Sequence, residues 1–140
     1  MKRQAPPLAG LRVLVVDDDI DSREALGAFL GACGAEVALA ASADQALDAL
    51  GSVRPHVLIS DVVMPYEDGY GLIRRVRALG AERGGHTPAL ALTAYDSETR
   101  ERALDAGFTR HLSKTVDPLE LARIVAELGR AGPWEDHPGA

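Results

Sequence analysis

A single cysteine, Cys33, is the whole thiol content of this chain. No internal disulfide can form. A lone thiol near the end of a helical pattern, just before Gly34, reads as packing and not as a nucleophile, which needs an electropositive setting. Strong basicity is also missing: 15 Lys and Arg stand against 21 Asp and Glu, a net charge of −6. That balance offers no footprint for a phosphate backbone and argues against nucleic-acid binding. No apolar stretch approaches the roughly 18 residues of a membrane span. The N-terminus, Met1-Lys2-Arg3-Gln4, lacks the apolar region of a secretory signal, so the expected compartment is the cytoplasm. Internal repeats and low-complexity tracts are absent. So is a glycine-rich loop after the first apolar run, which argues against dinucleotide binding.

What is present is an ordinary globular balance, 46% hydrophobic and 26% charged over 140 residues, enough for one domain with a real core. Residues 1–10, with Pro6, Pro7 and Gly10, read as a lead-in, 11–130 as the domain, and 131–140, with Gly132, Pro133, Pro138 and Gly139, as a tail. Strands are expected at 11–16, 35–40, 56–60, 89–93 and 109–113. Between them run helical patterns. Leu26, Phe29 and Leu30 mark the first; Ala43, Ala46, Leu47 and Leu50 the second; Leu72, Ile73, Val76 and Leu79 the third; Leu121, Ile124, Val125 and Leu128 the fifth. The fourth, about 97–106, has little apolar anchoring and reads as a mobile element. Ser42 with Gln45, and Asp117 with Glu120, are placed as capping boxes, and Pro118 suits a first helical position. Five strands alternating with five helices imply right-handed crossovers and a parallel sheet covered on both faces. Strand order is not readable from periodicity.

The first apolar run, Leu11 to Val16, ends in Asp17-Asp18-Asp19, and the third, Val57 to Ser60, runs into Asp61. Ligands bind outside the carboxyl ends of strands in open α/β sheets. Crowded carboxylates repel unless a cation neutralises them, and an oxygen-rich pocket suits a hard ion such as Mg²⁺. The fourth run ends in Thr93 and the fifth in Ser113-Lys114. Taken singly, Asp17 to Asp19 could cap a helix, Asp61 could sit in a turn, Thr93 could be a strand-end hydroxyl and Lys114 a surface lysine. Together at successive strand ends they form a coherent set for phosphoryl transfer: a carboxylate nucleophile, a metal pocket, a cation for phosphate oxygen and a hydroxyl donor.

The segments Val15-Val16-Asp17-Asp18-Asp19, Ser60-Asp61-Val62-Val63-Met64-Pro65, Glu67-Asp68-Gly69, Leu92-Thr93-Ala94 and Leu112-Ser113-Lys114 resemble the receiver domains of bacterial two-component response regulators, over roughly residues 11–130. The resemblance implies a flavodoxin-like (βα)5 three-layer sandwich with a parallel five-stranded sheet of order 2-1-3-4-5. It implies that Asp61 is the phosphoacceptor and that Asp18 and Asp61 ligate Mg²⁺ with the backbone carbonyl of Val63. Asp17 would act mainly through a bound water, and Asp19 would stand outside the site. Thr93 would be the switch hydroxyl and Lys114 the phosphate partner. The donor would be a phosphohistidine of a histidine kinase or histidine-phosphotransfer protein. The face around helix 4, strand 5 and helix 5 would switch an unnamed downstream protein, and there the family often forms homodimers. The chain would be a signalling phosphoprotein and not an enzyme. Pro6-Pro7-Leu8-Ala9-Gly10 and the segments Gly69 to Arg77 and Gly107 to Asp117 look most like receivers of hybrid histidine kinases, so the chain is read as stand-alone or excised from one.

Three departures stand out. Thr115 follows Lys114 where the family has proline with a cis bond. A cis bond before a non-proline residue costs about 2.5–4 kcal/mol, so a trans bond and a less firmly placed lysine are expected. His111 stands where the switch aromatic is usual, and a half-exposed strand histidine is an equally good reading of it. Val63 and Tyr95 flank the site without an acid or amide to orient water, so slow loss of the phosphoryl group is expected. Two rivals are weaker. A Mg²⁺-dependent aspartate-nucleophile phosphohydrolase would use Asp17-x-Asp19, yet Asp21 stands where that family has Thr or Val, and no cap domain is present. A Ca²⁺ loop from Asp17, Asp19 and Asp21 lacks its glycine at Ser22 and its final glutamate at Ala28.

Overall fold

The computed structural model describes residues 6–64, 67–93 and 97–131. The element order is β1 (Arg12–Val16), α1 (Ile20–Ala32), β2 (Glu36–Ala40), α2 (Ala43–Val53), β3 (Val57–Asp61), α3 (Gly69–Arg77), a 3₁₀ turn (Ala81–Arg83), β4 (Ala89–Thr93), α4 (Ser97–Ala106), β5 (Arg110–Ser113) and α5 (Pro118–Ala131). All strand pairings are parallel and the sheet order is β2-β1-β3-β4-β5. The fold is the flavodoxin-like sandwich expected, and each strand lies within one residue of its expected span.

Side chains alternate along each strand, so one strand feeds two cores. Leu14, Val16, Leu58 and Ala91 face α2, α3 and α4, together with Leu50, Leu72, Ile73 and Ala103. Val13, Val15, Ile59 and Leu90 face α1 and α5, together with Leu30, Leu121 and Val125. This explains the unbroken apolar runs of the central strands: a strand buried on both sides has no polar face to show.

Helix starts follow the expected caps with two local differences. Asp19 Oδ2 accepts the Ser22 N–H at 2.8 Å and caps α1. Ser42 Oγ accepts the Gln45 N–H at 3.2 Å, but Gln45 Oε1 reaches back to the N–H of Ala41, at 2.8 Å, one residue beyond a closed box. Asp117 Oδ1 accepts the Leu119 N–H at 3.1 Å, while Glu120 turns to Arg123, at 2.6 Å.

The lead-in is less separate than its prolines suggest. Leu8 is fully buried. Its N–H donates to Cys33 O at 2.9 Å, and Arg130 Nη2 donates to Pro7 O at 3.1 Å. The segment crosses directly over Gly34 (φ +103°), where a Cβ would stand 3.0 Å from Ala9 N. On the opposite face, the Arg77 guanidinium donates to three carbonyls, Gly107 O at 2.9 Å, Gly85 O at 3.0 Å and Thr87 O at 2.7 Å, tying α3 to the end of α4 and the entry to β4. Arg102 of α4 lies 4.2 Å from the ring centre of Tyr70. The expected weak anchoring of α4 is thus supplemented by polar contacts from two arginines.

Candidate functional site

Parallel pairing in register brings four strand ends to one edge. Val16 is level with Ser60, Asp61 with Leu92, and Thr93 with Ser113. The residues that follow or end these strands, Asp17, Asp61, Thr93 and Lys114, therefore share that edge. β1 lies beside β3 in the sheet, which makes neighbours of carboxylates more than forty positions apart.

One carboxylate oxygen each from Asp17, Asp18 and Asp61 lie within 4.8 Å of one another. Asp17 is buried, Asp61 partly buried and Asp18 exposed. The donor set is all hard oxygen and open to solvent through Asp18, which fits a Mg²⁺ ion that keeps part of its water shell.

Lys114 faces this cluster. Its Nζ donates to Asp61 Oδ2 at 3.0 Å and to Asp17 Oδ2 at 3.3 Å. Its backbone N–H donates to Thr93 O at 2.8 Å, so the lysine is anchored to the end of β4. Among the described residues no peptide bond is cis, and Lys114–Thr115 is trans as expected. In place of a proline turn, Ser113 Oγ accepts the Thr115 N–H at 3.1 Å and lies 2.8 Å from Thr115 Oγ1. The lysine is therefore held at its backbone and at its ammonium, more firmly than the sequence suggests.

Burial raises the Asp61 carboxyl above its ordinary pKa; Lys114 pulls it down, and the Asp17 charge pushes it up again. Burial works against the Lys114 charge, but Asp61 and Asp17 outweigh it and hold the ammonium above its ordinary pKa. The Ser22 N–H lowers the Asp19 carboxyl. Asp19 serves as a helix cap, and its side chain is outside the three-carboxylate cluster.

The loop after β3 is shaped by contacts with Asp61. The Val63 N–H donates to Asp61 Oδ1 at 3.3 Å, and Val63 itself is 65% exposed. Ser60 Oγ donates to Asp61 O at 2.8 Å, and the Gly69 N–H donates to Val62 O at 2.8 Å. A Cβ on Gly69 would stand 2.5 Å from Asp61 O and 2.9 Å from Val62 Cα. Gly69, legible in sequence only as a turn and helix start, thus lets α3 begin against the backbone of Asp61.

Thr93 is buried at the end of β4, one residue past the partner of Asp61. His111 is level with Ala91. Because Leu112 packs into the core under α1 and α5, His111 lies on the opposite sheet face, the one α4 covers. Tyr95, Pro65 and Trp134 lie outside the described residues. Arg23, which nothing in the sequence reading singles out, donates from Nη1 to Asp17 O at 2.8 Å.

A cleft of about 370 Å³ opens beside the cluster between α1 and α5, lined by Asp17, Leu26, Phe29, Leu92, Lys114 and Leu121 among others. Ile20, Val63 and Leu119 expose apolar side chains at the same edge. Among the described residues, no helix is long and apolar enough to cross a membrane.

Comparison with known proteins agrees with this geometry. A family model described as the response regulator receiver domain matches residues 13–126. An uncharacterized 14.6 kDa protein of Leptolyngbya boryana is 48% identical over 127 residues, covering 90% of this chain and 95% of that one. The response regulator MprA of Mycobacterium avium is 42% identical over 128 residues, covering 90% of this chain and 54% of MprA, so the chain spans about half of that relative. Among solved structures, the receiver domain of the sensor histidine kinase PA1611 from Pseudomonas aeruginosa, with a magnesium ion coordinated in its active-site cleft, is 32% identical. It superposes with a TM-score of 0.76 over 86% of this chain and 98% of that one.

Proposed function

The chain belongs to the response regulator receiver family, and on that premise we propose that it accepts a phosphoryl group on Asp61 from a phosphohistidine donor. The observation that carries this reading is the convergence of Asp17, Asp18 and Asp61 with the Lys114 ammonium 3.0 Å from Asp61 Oδ2. A lone surface aspartate has neither a metal pocket nor a cation beside it.

In the proposed step an Asp61 oxygen attacks phosphorus, the aspartyl O–P bond forms, and the N–P bond of the donor breaks. The imidazole leaves with the bond's electron pair. Asp18 and Asp61, with the Val63 carbonyl, would hold Mg²⁺, and Asp17 would act through water. Mg²⁺, when bound, neutralises charge on the transferred group. Lys114 neutralises a further phosphoryl oxygen as a point charge. Thr93 follows the new oxygens with its hydroxyl, and His111, beneath α4, is the candidate to follow Thr93. The face of α4, β5 and α5 is the proposed output and dimer surface. The apolar rim of Ile20, Val63 and Leu119 supports a protein as donor, a histidine kinase or histidine-phosphotransfer protein. An origin as a stand-alone receiver or as one excised from a hybrid histidine kinase, and a cytoplasmic location, belong to this reading.

The test is intact mass after incubation with Mg²⁺ and a small phosphodonor. One phosphoryl group per molecule on wild type, and none on Asp61→Asn, is expected. Repeated turnover of a phosphate ester would instead favour the phosphohydrolase.

A further inference from the structure

Arg23 has no part in the chemistry above, yet it enters the acidic turn. Its Nη1 donates to the main-chain carbonyl of Asp17 at 2.8 Å. The sheet has no use for that carbonyl. The Asp17 N–H still follows the ladder, donating to Ala40 O at 3.1 Å, but β2 ends at Ala40 and the chain turns into the α2 cap at Ser42. With Arg23 in place, every polar atom of Asp17 is held. The N–H is held from β2, the carbonyl from α1, Oδ1 by the Asp19 N–H at 3.0 Å, and Oδ2 by Lys114 at 3.3 Å.

The carbonyl matters beyond Asp17. It shares a planar peptide unit with the nitrogen of Asp18, so fixing its direction fixes the plane from which Asp18 departs. Asp18 is the exposed member of the carboxylate cluster, and among the described residues no group hydrogen-bonds its carboxylate to aim it. We propose that Arg23 is a positioning residue that aims Asp17 and Asp18 at a shared metal ion. This rests on the reading of the cluster as a Mg²⁺ site.

Positioning and charge predict opposite outcomes. Arg23 places a cation near three carboxylates. If charge were its whole effect, removing it would deepen the negative potential and tighten Mg²⁺ binding. If it aims the carboxylates, removing it loosens binding.

The measurement is the rise in melting temperature over a MgCl₂ series at constant ionic strength, which yields an apparent dissociation constant by mass action. Arg23→Met is expected to bind Mg²⁺ roughly tenfold more weakly than wild type, the size of effect seen when a group orienting a metal ligand is removed. Unchanged or tighter binding overturns the proposal. Should Arg23→Met not fold, Arg23→Gln decides, because it also removes the charge and its shorter side chain withdraws the donor from the Asp17 carbonyl while staying polar. Weaker binding in Arg23→Gln supports positioning, and equal or tighter binding overturns it. Asp18→Asn is the separate control. If wild type shows no Mg²⁺-dependent rise, or Asp18→Asn retains it, the metal-site reading itself fails.

Discussion

Lys114 Nζ donates to Asp61 Oδ2 across 3.0 Å, although the bond after the lysine leads to Thr115 and is trans. The Ser113–Thr115 side-chain turn and the bond from the Lys114 N–H to Thr93 O do the work of the missing proline. Lys114→Met removes the only described side-chain cation hydrogen-bonded to Asp61. Phosphorylation by a small phosphodonor in Mg²⁺ should slow about a hundredfold, the usual loss when one group stabilising developing charge is deleted. A time course of intact mass measures it, and a wild-type rate would remove Lys114 from the chemistry.

Burial raises the Asp61 carboxyl above its ordinary value of 3.8. The folded state thus binds this proton more tightly than the unfolded state. The resulting stability is fully present below pH 3.8 and is lost as pH rises through the folded value. At neutral pH the ionised Asp61 therefore burdens the fold. Asp61→Asn should melt higher than wild type at pH 7, and the gap should close at low pH. Mg²⁺ should narrow the gap at pH 7 by stabilising wild type alone. Thermal melts across pH test both halves.

Gly69→Ala places a methyl group 2.5 Å from Asp61 O, against backbone that cannot rotate away. Overpacking of this kind costs about 1–3 kcal/mol. Phosphorylation should slow as well, because the end of β3 must shift. Denaturant melts and phosphorylation rates on the same preparation check the two effects together.

Val63 is 65% exposed, and its side chain carries no acid or amide to orient water at Asp61. Purified phosphorylated protein should therefore lose its phosphoryl group slowly. Val63→Glu should speed that loss at least about tenfold, below the full range of a well-placed general base. Rapid loss from wild type contradicts the expectation at once.

Leu8 is fully buried in the same core as Leu11 and Leu30, with Cys33 packed against that core. Leu8→Ala should cost about 2–5 kcal/mol by denaturant unfolding, as for other buried leucines. A change within about 0.5 kcal/mol, the range of surface substitutions, would return the segment to the status of a linker.

Leu8 also shows what a linear reading misses. Pro6, Pro7 and Gly10 are local punctuation and make the segment read as a lead-in. Its burial depends on a groove beside Cys33 and Arg130 that exists only after folding. The apolar runs of β1, β3 and β4 were legible because a strand covered on both faces must be apolar throughout. The acidic ends were legible because parallel strands place their carboxyl ends at one edge. Arg23 left no such signal, since one arginine on a half-exposed helix looks like any other.

The sequence by itself determined which elements form and which side chains end the strands, because those follow from short-range periodicity and from charge placed directly after apolar runs. Only the tertiary structure decided which of them meet. Strand order sets β1 beside β3, so that Asp17 and Asp18 face Asp61, and it brings Lys114 to Asp17 from 97 positions away. The raised Asp61 carboxyl follows from that meeting, whereas the grip of Arg23 on Asp17 spans six positions and belongs to the β1–α1 turn. Desolvation depends on three-dimensional surroundings, which no window of neighbouring residues contains.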